Sequence, residues 1–385
     1  MPLEGIRAFS RICFVLSSHF SYMKGGAELQ AYYIAKELLA RGFEIHYAYL
    51  DSSRDGQPET LETPDGRITL HRLTRYDLGP LGKPRFLNYP QLMRLLEEIE
   101  PDLVYQRTRS ALTGIAGAYA NKRGKKMVWA SSSVVDCRRR RLEDIRVDGA
   151  TAPVEALGYR LGLRGMRRAD RIVAQTSDQA AMLRENFALD SVVIPNSHPR
   201  PRRTMPKEEP PLVAWIANMK WWKQPELFVE LAERCAGLDA RFVLVGRADR
   251  GYEELAARVK RLGNTELAGE LPLEETNELL AKSSVFVNTS LPFEGFPNTF
   301  IQAWMRAVPT ISLNFDPDGV IERYGIGLHS RTLDRLASDV RRLILDGALR
   351  ETMGRRAARY AADNHDLSVV ADRYVRLFQE TLGTS

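Results

Sequence analysis

Short apolar runs alternate with amphipathic stretches throughout the first half of the chain. The runs have the length of buried strands, and the amphipathic stretches repeat their apolar residues at helical spacing. Strands that alternate with helices predict a parallel sheet with right-handed crossover connections. The predicted strands are 11–16, 44–50, 103–105, 126–129 and 171–174, and the predicted helices are 27–40, 91–98, 112–120 and 179–186.

A second alternating series follows a segment rich in proline and arginine. Residues 197–211 show no apolar periodicity and are predicted to form a linker. The pattern predicts an α/β protein with doubly wound domains at 1–196 and 212–385, and ligands at the carboxyl ends of the strands in a cleft between them. The last helix is a candidate to cross back to the first domain. The second series has predicted strands 212–216, 241–245, 285–287 and 310–313 and helices 226–235, 253–262, 275–281 and 300–306.

Length and composition agree with two globular domains. The chain has 385 residues, of which 44% are hydrophobic and 27% charged. No run of about 20 apolar residues predicts a transmembrane helix, and the apolar run at 12–16 is too short for a signal peptide. Three widely spaced cysteines, Cys13, Cys137 and Cys235, show neither disulfide nor metal-ligand spacing, so a reducing, cytoplasmic location is expected.

Positive charge is concentrated in the first half of the chain. Residues 1–195 carry 29 Lys and Arg against 23 Asp and Glu, whereas the remainder carries 26 of each. The excess lies in residues 121–171, which include four consecutive arginines at 138–141. A solvated surface is one interpretation, and a patch that faces an anionic acceptor or anionic lipid is another. Nucleic acid is not expected as a partner, because no nucleic-acid-binding module accompanies the patch.

The segment 284–306 carries the strongest chemical signal. A predicted strand leads to Glu294 and Gly295, and a helix is predicted to begin at Pro297 and Asn298. The N–H groups of Asn298 and Thr299 at such a helix start attract phosphate or sugar oxygens, and a neighbouring carboxylate suits hydroxyl groups. A sugar phosphate offers both kinds of group. A plain strand-to-helix turn with an exposed Glu is the alternative.

Two further strand-to-helix turns suit an anion. Gly25 and Gly26 open the first helix and let a ligand approach the backbone, although a simple glycine turn has the same residues. Lys223 is predicted at the start of a helix in the second domain, where a cation is unfavourable unless an anion binds. The glycine turn does not match the dinucleotide fingerprint G-x-G-x-x-G.

Together these segments resemble the retaining, nucleotide-sugar-dependent glycosyltransferases of family 4 (glycosyl transferases group 1), which have the GT-B fold. The resemblance spans nearly the whole chain. It implies two Rossmann-like domains facing across a cleft, with the acceptor in the first and the nucleotide sugar in the second. It rests on Gly25-Gly26-Ala27-Glu28, on residues 169–177 leading to 193–196, on the turn at Lys223, on residues 242–246 and on Glu294-Gly295-Phe296.

The chain departs from the family pattern at three places. Gln302 stands where the family has its second Glu, which usually binds ribose hydroxyls, so this position keeps hydrogen-bonding groups without the charge. An Ala-Asn pair at 217–218 replaces a Gly-Arg pair, which leaves Lys223 as the main cation expected on the diphosphate. Ser131 and Asp136 lie in the region where many relatives place a histidine that contacts the sugar.

The resemblance and the positions of the strand ends together give a set of expected site residues. Lys223 and Glu294 are expected at the catalytic centre, where Lys223 would stabilise charge on the departing diphosphate and Glu294 would hold sugar hydroxyls. The expected donor-binding residues are Gly25, Gly26, Asn218, Gly246, Leu271, Gly295, Phe296, Pro297, Asn298, Thr299 and Gln302, and the expected acceptor-binding residues are His19, Gln106, Arg107, Ser131 and Asp136.

The implied reaction transfers a glycosyl group from a nucleoside diphosphate sugar to an acceptor hydroxyl with retention, in glycan, glycolipid or glycosylated-metabolite biosynthesis. The leaving phosphate oxygen would accept the acceptor's proton, so no protein base, metal or other cofactor is expected. A binding protein that has lost turnover, suggested by Gln302 and Asn218, and a nucleotide-sugar epimerase are the alternatives. The nucleotide, sugar and acceptor stay open. An anionic or lipid-linked acceptor and peripheral contact with the inner membrane face are candidates.

Three other features carry weaker expectations. Asp316 and Asp318 have a spacing that elsewhere holds a metal–nucleotide complex, but ordinary turn chemistry explains them better. The pair Trp221–Trp222 is expected to be buried between the domains rather than to contact a sugar or a membrane. His198, in the predicted linker, is expected to face solvent.

Overall fold

A computed structural model describes residues 10–20, 25–52, 59–140, 149–248 and 251–383, which form two compact units. Unit 1 comprises Met1–Pro195 and Leu367–Ser385, and unit 2 comprises Asn196–Asp366. The segment 197–211, expected as a linker, is therefore part of unit 2, and the last helix is part of unit 1. Arg141, the last arginine of the basic run, lies outside the described residues.

Unit 1 contains an eight-stranded sheet in the order β3-β4-β2-β1-β5-β6-β7-β8. Every neighbouring pair is parallel except β3 and β4. The strands are β1 (Arg11–Leu16), β2 (Glu44–Asp51), β3 (Glu59–Thr63), β4 (Gly66–Thr74), β5 (Leu103–Arg107), β6 (Lys126–Ala130), β7 (Arg171–Ala174) and β8 (Val192–Val193). The helices are α1 (Gly26–Ala40), α2 (Tyr89–Ile99), α3 (Ala111–Arg123), α4 (Val134–Cys137), α5 (Ala152–Met166), α6 (Ser177–Phe187) and α14 (Leu367–Leu382).

Both faces of this sheet are buried, which is why its central strands are apolar almost throughout. In β1, Ile12 and Phe14 point into one core, and Cys13 and Val15 point into the other. The last helix contributes to the first of these cores, where the rings of Tyr374 and Tyr105 lie 5.9 Å apart. The end of the chain therefore completes the core of unit 1.

Unit 2 contains a six-stranded parallel sheet in the order β11-β10-β9-β12-β13-β14. Strand β9 has β10 on one side and β12 on the other, so the strand order reverses there. In open parallel sheets, ligands bind at such a reversal, outside the carboxyl ends of the strands. The strands are β9 (Leu212–Ile216), β10 (Arg241–Val245), β11 (Thr265–Gly269), β12 (Val285–Asn288), β13 (Thr310–Ser312) and β14 (Gly327–His329). The helices are α7 (Pro225–Arg234), α8 (Glu253–Val259), α9 (Leu273–Lys282), α10 (Asn298–Trp304), α11 (Val320–Tyr324), α12 (Leu333–Leu345) and α13 (Gly347–Asn364).

Two expectations from the sequence are wrong. His198 is 2% exposed rather than solvent-facing, and its backbone N–H donates to the carbonyl oxygen of His365 at 2.9 Å. Burial and the nearby charge of Arg306 lower the pKa of His198 to about 3. Trp221 is 63% exposed rather than buried.

The Asp316 carboxylate accepts hydrogen bonds from the N–H groups of Ile321 and Glu322 at 2.8 and 3.0 Å, as a residue at the start of a helix commonly does.

No helix within the described ranges is long and apolar enough to cross a bilayer.

Helices α3 and α5 touch through glycines. A Cβ on Gly165 would lie 2.1 Å from the carbonyl oxygen of Thr113, and a Cβ on Gly114 would lie 2.6 Å from that of Leu161. The backbones therefore approach more closely than any side chain would allow. Gly158, on the same helix as Gly165, has open space at its Cβ position.

We expect Gly165→Ala to lower the free energy of unfolding by about 1–3 kcal/mol, because the added methyl group forces α3 and α5 apart. Gly158→Ala is the matched control. It should leave stability unchanged or raise it by up to about 1 kcal/mol, because alanine favours the helix. Urea unfolding of both variants measures the difference, and equal stability of the two would contradict this packing.

Candidate active site

The turn that follows β9 carries Lys223. Residues Trp221–Lys223 form one 3-10 turn, and Gln224 takes a left-handed conformation with φ of 50° before α7 begins at Pro225. The left-handed residue reverses the chain direction sharply. The Lys223 side chain is thereby held beside the carboxyl edge of the sheet.

Thr289 fixes this turn from the neighbouring strand. It follows β12, and its hydroxyl lies 2.6 and 3.0 Å from the carbonyl oxygens of Lys223 and Gln224. The indole N–H of Trp215 donates to the same hydroxyl oxygen at 2.9 Å. All of these groups are buried or half-buried, so each bond avoids an unpaired polar group.

Asn314 connects the next strand end to the same turn. It follows β13, and its side-chain amide donates to the side-chain oxygen of Gln224 at 2.9 Å and to the carbonyl oxygen of Thr289 at 2.8 Å. The N–H of Leu291 donates to the carbonyl oxygen of Trp222 at 2.7 Å. The loops after β9, β12 and β13 are thus joined by hydrogen bonds.

Lys223 and Glu294 contact each other. The Lys223 ammonium donates to Oε1 of Glu294, and the two side chains are 18% and 20% exposed. Burial lowers the pKa of Lys223 from 10.5 to about 7. A carboxylate in contact with a lysine favours its charged form, so Glu294 opposes the effect of burial. The structure brings together the two residues that the sequence placed at the catalytic centre.

The other carboxylate oxygen of Glu294 is buried and has no hydrogen-bond partner among the residues that the structure describes. An unpaired buried acceptor costs free energy, and polar groups of a ligand commonly supply the missing bond. Oε2 of Glu294 is therefore available to accept a hydroxyl group.

Three donor-side candidates lie in the turns after β9, β10 and β11. Gly246 has φ of 147°, and a Cβ there would lie 1.8 Å from the carbonyl oxygen of Ala217, so only glycine fits. The half-buried Asn218 is in the adjoining turn. Leu271 packs its side chain against the small core of Leu212, Val243 and Val245. These positions line the same edge of the sheet as Lys223.

The remaining unit 2 candidates surround the start of α10. Gly295, Phe296 and Pro297 are buried, and Phe296 packs against Trp304 and His365, with ring centroids 5.8 and 4.7 Å away. Helix α10 begins at Asn298, one residue after Pro297, and has only seven residues. The half-buried Asn298 and Thr299 form its first turn, and Gln302 is 4% exposed.

Asn196 holds this loop in place. Its side-chain amide donates to the carbonyl oxygen of Phe296 at 2.8 Å and to the side-chain oxygen of Asn298 at 3.0 Å. The segment that carries Glu294 is thus fixed from both sides.

Three acceptor-side candidates are held inside unit 1. The Gln106 amide donates to the carbonyl oxygens of Arg107 and Thr108 at 2.7 and 2.9 Å. Ser131 donates to the side-chain oxygen of Gln179 at 2.7 Å. Asp136 accepts from the N–H and hydroxyl of Ser132 and from the N–H of Arg109, at 2.7–2.9 Å. Their polar atoms already have partners within the fold.

The other unit 1 candidates lie where β1 and β5 end and α1 begins. His19 is 1% exposed among tyrosine rings, and burial lowers its pKa to about 4, so it is neutral near pH 7. Arg107 is 3% exposed, with its guanidinium 3.3 Å from the Tyr105 hydroxyl. Gly25 precedes the first residue of α1, Gly26, and the Gly25 carbonyl accepts from the N–H of Leu29 at 3.1 Å.

Thr289, Asn314, Gln224 and Trp215 were not expected from the sequence. A signal for two of them exists in the sequence, because Thr289 and Asn314 are polar residues one and two positions after short buried strands. Within the described ranges, no three His, Cys, Asp or Glu side chains lie together as metal ligands.

Known families match both parts of the chain. Residues 24–198 match the family described as Glycosyltransferase Family 4, and residues 210–346 match Glycosyl transferases group 1. The two matches together span most of the sequence. The chain belongs to the family 4 (group 1) glycosyltransferases and is a glycosyltransferase.

Solved structures share the fold at low sequence identity. The sucrose-phosphate synthase of Thermosynechococcus elongatus is 16% identical and aligns over 98% of this chain and 100% of its own, with a TM-score of 0.75. Anabaena HepE, solved in complex with UDP, is 15% identical over 96% and 100%, with a TM-score of 0.70. A Rickettsia africae ESF-5 glycosyltransferase is 16% identical over 97% and 99%, with a TM-score of 0.70. The predicted GT-B fold is confirmed.

We expect Thr289→Val to lower the free energy of unfolding by about 1–3 kcal/mol, because it leaves the Trp215 N–H and two carbonyl groups without their partner. Thr289→Ser keeps the hydroxyl and should restore most of the loss. Urea unfolding measures both variants. Unfolding of Thr289→Val at the wild-type urea concentration would contradict the role of this hydroxyl.

Proposed function

We propose that the protein is a retaining glycosyltransferase that moves a sugar from a nucleoside diphosphate sugar to an acceptor hydroxyl. The observation that carries the proposal is the contact between Lys223 and Glu294, together with the unpartnered Oε2 of Glu294. One group supplies a cation for a diphosphate, and the other supplies an acceptor for sugar hydroxyls. Both lie at the carboxyl edge of a sheet whose strand order reverses at β9.

Lys223 stabilises the leaving group. As the bond between the anomeric carbon and the phosphate oxygen breaks, negative charge grows on the diphosphate. A lysine that is already positioned and partly desolvated stabilises that charge most in the transition state. The diphosphate competes with Glu294 for the ammonium group, and its charge raises the pKa of Lys223 from the low value in the free protein.

Glu294 orients the sugar. Its carboxylate accepts hydrogen bonds from sugar hydroxyls, through Oε2 from the start and through Oε1 once Lys223 turns to the diphosphate. The acceptor oxygen forms its bond to the anomeric carbon on the face that the phosphate leaves, and its proton passes to the leaving phosphate oxygen. Retention in this sense rests on the family resemblance. The step needs no protein base and no metal, so neither is part of the proposal.

A UDP-sugar is the first donor to test, because Anabaena HepE has been solved with UDP and with UDP-glucose. The product is proposed to belong to glycan, glycolipid or glycosylated-metabolite biosynthesis. Substituting Gln302 for the expected Glu weakens the ribose contact from a charge-assisted to a neutral hydrogen bond. This difference is proposed to lower donor affinity rather than to abolish turnover.

Unit 1 is proposed to bind the acceptor, in the cytoplasm and against a membrane surface. Leu78, Leu81, Leu87 and Tyr89 are all exposed within one short segment of unit 1. Exposed leucine and tyrosine side chains near basic residues are typical of surfaces that contact anionic lipid head groups. Arg138, Arg139 and Arg140 and the arginines of α5 provide the positive charge.

We expect Lys223→Ala to raise the barrier by about 2–4 kcal/mol, which is roughly a 30- to 1000-fold loss of kcat/KM, because one charge contact to the leaving group is lost. Release of the nucleoside diphosphate from the donor that binds, with a pooled set of acceptors, measures turnover.

Lys260→Ala is the matched control, because Lys260 is an exposed lysine of the same unit and should leave turnover unchanged. Wild-type turnover in Lys223→Ala would contradict the proposed role. Donor binding without turnover in the wild-type protein would favour the degenerate binding protein, and conversion of the donor without any acceptor would favour an epimerase.

A further inference from the structure

A group of basic residues lies at the carboxyl edge of the sheet of unit 1. Arg75 directly follows β4, and Arg107 is the last residue of β5. Strands β4, β2, β1 and β5 are neighbours in the sheet, and all four are parallel, so these ends lie on one edge. Glu28, in the first turn of α1, and Arg85, at the start of the 3-10 turn Arg85–Asn88, complete the group.

Arg75 is held in a fixed orientation. Its Nη2 donates to the carbonyl oxygens of Ser17 and Leu50 at 2.9 and 2.7 Å and to the Ser18 hydroxyl at 3.0 Å. One nitrogen therefore anchors the guanidinium across the ends of β1 and β2. Nε and Nη1 of Arg75 have no hydrogen-bond partner within the described part of the chain. These two nitrogens of a positioned cation stay available to donate to a ligand.

Arg85 has no partner at all for the hydrogen-bond donors of its guanidinium among the residues described by the structure. Its surroundings are partly desolvated, and burial together with Arg75 lowers its pKa, with Glu155 and Glu28 acting in the opposite direction. A desolvated guanidinium next to a second one is unfavourable unless an anion binds both. Glu155 and Glu28 supply negative charge nearby, but neither forms an ion pair with Arg85 in the described ranges.

Glu28 provides a carboxylate from the first turn of α1. Burial raises the pKa of Glu28, whereas a hydrogen bond from its own N–H and the charges of Arg107, Arg75 and Arg85 lower it, so all three guanidinium groups lie near this carboxylate. The carboxylate folds back over the start of α1, because a Cβ on Gly25 would lie 2.2 Å from Oε2 of Glu28.

We propose that Arg75 and Arg85 bind the phosphate group of the acceptor, and that Glu28 accepts hydrogen bonds from hydroxyl groups beside it. The acceptor class is then a phosphorylated sugar or polyol. Arg85 can donate a pair of N–H groups to phosphate, and Arg75 adds single N–H bonds because its Nη2 already has partners. Arg107 acts on Glu28 against the effect of burial, because its charge lowers the pKa of that carboxyl group. This inference rests on the proposed function, in which unit 1 holds the acceptor.

Titration of inorganic phosphate tests the proposal without knowledge of the acceptor. The titrations use the full chain carrying Lys223→Ala, so that the donor-side lysine does not contribute. We expect saturable phosphate binding, weakened at least tenfold by the additional change Arg85→Met. Arg85→Lys keeps the charge but loses the paired donors, and it should give an intermediate affinity. Arg94→Met removes an exposed arginine of the same unit and is the matched control with unchanged affinity.

Calorimetry with glucose 6-phosphate and with glucose extends the same test. The phosphorylated sugar should bind at least tenfold more tightly than glucose, and Glu28→Gln should reduce this affinity more than the affinity for inorganic phosphate. No saturable phosphate binding, or equal binding by the Arg85→Met protein, would overturn the proposal. Acetate binding as tight as phosphate binding would overturn the choice of phosphate. Nucleotide binding is measured separately, on the protein with Lys223 intact. Loss of nucleotide binding would therefore count against the proposed donor site, and loss of phosphate binding would count against the site at Arg75 and Arg85.

Discussion

The site in unit 2 depends on one contact, between the amino group of Lys223 and the carboxylate of Glu294. The contact joins opposite charges while Lys223 is protonated, and burial lowers the pKa of Lys223 to about 7 in the free protein. Both side chains are largely buried, and removing either charge from water costs several kcal/mol. Their contact offsets part of that cost in the free protein. In the proposed function, a diphosphate replaces Glu294 as the partner of the ammonium group, and sugar hydroxyls replace Lys223 as partners of the carboxylate. One nucleotide sugar would then contact both side chains.

This contact requires that two separate loops be fixed. Gln224, Thr289 and Asn314 connect the loops after three neighbouring strands by hydrogen bonds, and Asn196 fixes the loop on the far side of Glu294. The reversal of strand order at β9 makes such a connection possible, because it sends the chains after β9 and β12 away from each other and leaves a crevice at the edge of the sheet. The position of Lys223 at this crevice is therefore a consequence of the sheet topology.

The sequence predicted the apolar strands and the central pair well. Strands β1, β7, β9 and β10 have the predicted bounds, because a continuous apolar run marks where a buried strand begins and ends. It did not predict β3, β4 or β14, which are partly polar or very short, and the burial of His198 depends on tertiary contacts that periodicity does not encode. Lys223 and Glu294 are 71 positions apart. Their proximity was expected from strand-end geometry and family resemblance, whereas Thr289 and Asn314 became visible only as hydrogen-bond partners.

The charge state of Lys223 during binding tests the account most directly. We would titrate UDP, GDP, ADP and TDP into the protein at pH 8 by calorimetry, in buffers of different ionisation enthalpy and with and without EDTA. With a pKa of about 7 in the free protein, Lys223 is mostly neutral at this pH and must gain a proton to pair with a diphosphate. The account predicts that one nucleotide binds, takes up roughly 0.9 proton per molecule and is unaffected by EDTA. Binding without proton uptake, or no binding by any of the four nucleotides, would contradict it.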